Sequence, residues 1–170
     1  MIGLGQNTHY PRLPYFERNR LLDQRHLRMG RNYHAMDQLG AMLYGDAAFD
    51  RTQAIKLARR IEATAGHRLS ADFHPGSIAT DRSRTLLALW YNRPLFDANA
   101  EALRGAAKAL AEELEKNPKG QAGAVMLLAK PEDSGQSAKT VAVSAAVWER
   151  FNRLSDVCDS CHRGFRGHRW

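Results

Sequence analysis

The chain has 170 residues, 44% hydrophobic and 25% charged, the balance of a globular domain large enough to bury a substantial core. Its longest nearly continuous apolar run, residues 122–129, falls far short of the roughly 20 residues a membrane-spanning helix needs, so no membrane span is expected. A formal net charge of +7 is spread along the chain without a recognition motif, which argues against nucleic acid and reads first as a solvated surface, with steering of acidic partners as the functional alternative.

Residues 1–16 read as an irregular N-terminal arm carrying Pro11 and Pro14, with too short an apolar stretch for a signal peptide. Residues 17–170 read as a single domain. From Glu17 to Tyr44 a helix is predicted, because Leu22, Met29, Tyr33, Met36, Gly40 and Leu43 repeat at steps of three, four and seven. Gly45 ends it. Asp50 or Thr52 caps a second helix, with Ile55, Ala58, Ile61 and Ala65 on one face before Gly66.

Residues 67–80 read as a connection turning at Pro75-Gly76. After the short apolar segment 86–90, Pro94 suits the first turn of a third long helix that runs to about Lys116. Phe96, Leu103, Ala107, Leu110 and Leu114 share its apolar side. Residues 117–137 form a long connection, with room for one helical turn around Val125-Met126-Leu127-Leu128. A fourth helix is predicted from about Ser137 to Arg163, with Val143, Val147, Phe151, Leu154, Cys158 and Cys161 on one stripe. No strand-period alternation competes. The expected fold class is therefore all-α, an antiparallel four-helix bundle.

The stripe on the last helix ends in Cys158-Asp159-Ser160-Cys161-His162, which uses both cysteines of the chain. CxxCH is the attachment pattern of c-type haem. Residues i and i+3 share a helical face, so two thiols can bond one haem edge, and His162 lies beside them as the proximal iron ligand. Three other readings stand beside it. Zinc would take both thiolates, His162 and His168, although zinc sites put a longer loop between the cysteines and histidines. A redox-active CxxC belongs after a strand in a βαβ unit, and a plain structural CxxCH is the third. Since the cysteines continue the core stripe, a haem would lie inside the bundle. Haem of this kind is attached outside the cytoplasm, so a periplasmic location is expected, with a leader removed.

The layout resembles the cytochrome c′ family and its low-spin relatives, the class II c-type cytochromes. That family carries CxxCH on the last of four helices. The ending Cys158-x-x-Cys161-His162-Arg163-Gly164-Phe165-Arg166 is similar to its closing motif, and Arg25-x-x-x-Met29 to its first-helix segment. Gly45 through Phe49-Asp50 resembles the following turn, with Ala48 in place of proline; Leu89-Trp90 and Phe96 resemble the start of its third long helix. The arm and the 117–137 connection depart from the pattern.

The resemblance implies one covalently bound haem c. It puts Met29 across the iron from His162, Arg25 beside a haem propionate, and Arg166 on the proximal side. A Met29 thioether on the iron suits electron transfer. The expected function is thus a low-spin monohaem electron carrier rather than an enzyme, serving redox proteins with acidic docking surfaces, as a monomer or homodimer. With Met29 as a pocket wall, the alternative is a five-coordinate haem that binds nitric oxide or another small gas. A haem peroxidase ranks third, for want of a distal His/Arg pair. Met36, Met42, Met126 and His26 are weaker ligand candidates. Tyr33, Trp90, Trp148 and Phe151 read as core or haem packing.

Overall fold

In the computed structural model the described residues are 13–77, 82–116, 125–128 and 139–167, with 125–128 and 139–142 described as backbone only. Four long helices make the fold: α1 (Tyr15–Leu43), α2 (Arg51–Thr64), α5 (Arg93–Lys116) and α6 (Ala145–Phe165). Two short helices, α3 (His67–Ala71) and α4 (Ala88–Tyr91), and a 3₁₀ turn at Pro75–Ser77 lie between α2 and α5. Most of the arm, residues 1–12, lies outside the described residues.

Neighbouring helices run antiparallel. Gln53 at the start of α2 meets Gln38, while Thr64 at its end bonds Asn32. Arg51 donates to Leu114 O and Glu115 O at the far end of α5, at 2.6 and 2.8 Å. Phe96 near the start of α5 packs edge-on against Phe165 at the end of α6, 5.5 Å between ring centres. Buried Leu39, Leu57, Ile61, Leu89, Phe96, Leu110 and Leu154 form one continuous core. No helix among the described residues is long and apolar enough to cross a membrane.

Local chemistry explains most helix ends. Asp50 Oδ1 accepts from Gln53 N and starts α2, a cap worth about 1 kcal/mol. Gly66 turns the chain at φ +65°, and a Cβ there would lie 2.6 Å from Glu101 Oε1. Only glycine satisfies both demands.

Three expectations are corrected. The last helix begins at Ala145, not near 137, because Ser144 Oγ caps it by accepting from Val147 N. Residues 139–142, with two β-branched members, instead pair antiparallel with 125–128, Val125 opposite Ala142. The apolar 125–128 patch is thus a strand, not a helical turn. Tyr33 is 67% exposed, since Asn32 and Ala35 take the inward positions of that turn. Trp90 and Trp148 are half-buried against the core and Phe151 is buried within it, as expected.

Candidate haem site

The C-terminal turns of α6 carry Cys158 and Cys161, both half-buried against the core, with His162 beside them and partly exposed. Both thiols are free. Burial pushes each up to about 11; Asp159 and Cys161 add to the effect at Cys158. His168, the fourth ligand candidate of the zinc reading, lies outside the described residues. His162 is shifted down, first by partial burial, then by the Arg166 and Arg84 cations, against an opposing pull from Asp159. A neutral imidazole keeps a lone pair for a metal.

Across the bundle, α1 runs antiparallel to α6. A Cβ on Gly40 would lie 3.8 Å from Phe151 Cζ, and Tyr44 packs on both Trp148 and Phe151. Both helices rise about 1.5 Å per residue. Eleven residues back from Gly40 is Met29; eleven on from Phe151 is His162. The two therefore stand at one level, and Met29 is half-buried on the same core. Taken over their whole lengths, α1 and α6 are not a closely packed pair, in contrast to α2 with α5 and α5 with α6.

Arg25, one turn before Met29, is only 3% exposed. Its Nη2 donates to Ser77 O at 2.9 Å and Ser83 Oγ at 3.3 Å, and Nη1 to Ser77 Oγ at 3.3 Å. Its cation also lies 4.9 Å over the Phe73 ring. Burial pulls the guanidinium down to about 10, with Asp72 pulling the other way. Asp72, however, is engaged by Arg28 at 2.6 Å. Ser77 and Ser83 are neutral acceptors, so among the described residues the buried cation has no carboxylate of its own. Two free thiols on one helical face, an adjacent neutral imidazole and a buried cation suited to an anionic substituent fit a covalently held haem with its propionate.

Arg166 is exposed at the helix end, its N–H bonded to His162 O at 3.0 Å. Met36 is half-buried, Met42 is buried deeper, and His26 is exposed; Met126 lies in the strand, where only backbone is described. Sequence reasoning missed Ser77, Ser83, Phe73 and Arg84. They sit dozens of residues from their partners, on a connection with no periodic signal.

Fold and site together define a c-type haem protein of the four-helix-bundle kind. Residues 20–131 match the family described as Cytochrome C′, a stretch that ends before the CxxCH. The chain belongs to the cytochrome c′ family and carries one covalently attached haem c. Solved structures extend the likeness to about nine-tenths of the chain. Cytochrome c prime from Shewanella frigidimarina is 19% identical, with TM-score 0.65 over 91% of this chain and all of that one. A cytochrome c′ described as having ligand-controlled dimer dissociation is 19% identical, with TM-score 0.67 over 89% of this chain and 97% of its own. The nitric oxide complex of a variant cytochrome c prime from Alcaligenes xylosoxidans is 11% identical, with TM-score 0.65 over 94% of this chain and 100% of that chain. At such identities the likeness is one of fold. No curated protein matches the chain.

Proposed function

We propose that Cys158 and Cys161 hold the haem, that His162 is its proximal ligand, and that the opposite face binds nitric oxide or another small gas. The observation that carries this reading is Met29, an apolar half-buried side chain level with His162 on a helix not closely packed against α6. A relative of the same fold forms a nitric oxide complex. This reverses the order expected from sequence, which put electron transfer first. Bound haem supplies an iron with one exchangeable position. The chain holds the ring, keeps His162 neutral, lines the other face with a thioether and offers Arg25 to a propionate.

A second reading keeps Met29 as a ligand and the protein as an electron carrier. It is favoured by the thioether itself, a soft ligand that suits ferrous iron. A periplasmic location, acidic redox partners and a homodimer belong to the proposal; dimer dissociation in one relative supports the last. Peroxidase chemistry has the least support, since His26, three residues before Met29, is exposed.

One spectroscopic series tests the choice. For gas binding, the ferric protein is high-spin, nitric oxide binds rapidly, and Met29→Ala changes the spectrum little. A low-spin spectrum with a near-infrared sulfur–iron band, slow ligand entry, and conversion to high spin by Met29→Ala would install the carrier instead.

A further inference from the structure

The end of α6 does not run out into solvent. Beyond the helix, residues 165–167 lie antiparallel to residues 84–86, with Thr85 paired to Arg166. Leu86 N donates to Phe165 O at 2.9 Å, and Gly167 N to Arg84 O at 2.8 Å. The Arg84 side chain closes the same ring, Nε and Nη2 both donating to Gly167 O at 3.1 and 2.9 Å. A Cβ on Gly167 would come within 3.3 Å of Leu86 Cδ2 and 3.5 Å of Arg84 O, so the two segments lie in close contact. Next to Arg84, Ser83 Oγ accepts from Thr85 N at 3.2 Å and from Arg25 Nη2 at 3.3 Å. Residues 83–86 thus strap α1 to the end of α6 at the level of the candidate site.

The last turn of a helix leaves carbonyls without partners and frays most readily. His162 stands in that last turn. Arg84 engages the carbonyl of Gly167 just past that turn, and a cation there complements the negative end of the helix. Among the described residues, the Arg166 and Arg84 cations bear on His162 against Asp159, and Arg84 is brought beside the end of α6 by its two bonds to Gly167 O. Oxidising a bound iron adds a positive charge, and a nearby cation opposes it.

We propose that Arg84 is a positioning residue for His162: its guanidinium locks the end of α6 at Gly167 and holds positive charge toward the imidazole, which raises the reduction potential of the bound haem. The inference rests on His162 as the proximal ligand and goes beyond it.

The test uses the mature haem protein, with R84M and R84K as variants. In R84M the midpoint potential moves lower, and the Gly167 and Leu86 amides exchange with deuterium at least about tenfold faster, as a loosened helix end requires. In R84K, which keeps the charge but not the two-pronged bond, at least half of the potential shift is recovered while exchange stays fast. An unchanged midpoint in R84M with haem attached overturns the inference and leaves the proposed function standing. Absence of covalent haem in the wild type removes the proposed function instead. If neither variant takes up haem, amide exchange of the wild-type chain decides: unprotected Gly167 and Leu86 amides overturn the strap.

Discussion

Two seams of the bundle share a helical period and differ in what they bury. Between α2 and α5, Ala54, Leu57, Ala58 and Ile61 meet Ala100, Leu103, Ala107, Leu110, Ala111 and Leu114, all buried. Alanines let the backbones approach, and the seam is pinned at one end by Arg51 and at the other by Gly66 N donating to Ala100 O. Between α1 and α6 the equivalent level carries two thiols, a thioether and a buried guanidinium. The first seam is complete with its own side chains. The second carries groups with chemistry of their own.

The largest effect expected from this contrast is all-or-none. Replacing Cys158 and Cys161 together by alanine abolishes covalent haem, read by mass under denaturing conditions, while far-UV circular dichroism keeps its helical form. Loss of the helical signal would mean that the α2–α5 seam cannot sustain the bundle alone.

The complementary change is Leu110→Ala in the closed seam. A cavity there costs about 2–5 kcal/mol in urea unfolding. Haem band positions stay where they were. A shifted Soret band would show that the seams are not separable.

Arg25→Met tests the open seam. Burial lowers the folded-state pKa of this cation to about 10, so holding it charged costs stability at every pH below that value; the cost fades only as pH rises through it. In the haem-free background Arg25→Met leaves stability equal or raises it, by roughly 1–4 kcal/mol at most. With haem bound, the pH dependence of the midpoint moves as the propionate loses its cation. A haem-free protein weakened by more than about 1 kcal/mol would show that the bonds to Ser77 and Ser83 outweigh the cost of burying the charge.

Smallest is Asp50→Ala. Losing the α2 cap costs about 1 kcal/mol and leaves every haem property unchanged. A spectral response would contradict the assignment of α2 to the purely structural half.

The amino-acid sequence by itself determined the four long helices, since Leu103, Ala107, Leu110 and Leu114 or Val147, Phe151 and Leu154 repeat at a period only a helix turns into one face. It also determined the cofactor, because CxxCH encodes attachment within five consecutive residues and needs no distant partner to be legible. Tertiary structure decided what depends on how separate segments meet. Tyr33 and Met29 look alike on the helical stripe; the packing of α2 against Asn32 turns Tyr33 outward. Residues 139–142 pair with 125–128 across a long connection, and a local reading extends the helix over them because their extended partner is not nearby in the chain. The resemblance puts Arg25 beside a propionate, but its burial arises only where Ser77, Ser83 and Phe73 close over it. Arg84 acquires a role only where the chain end returns beside it. Local periodicity and a compact motif are encoded in neighbouring residues, whereas register, burial of a charge and the strap on α6 arise from contacts that sequence order does not specify.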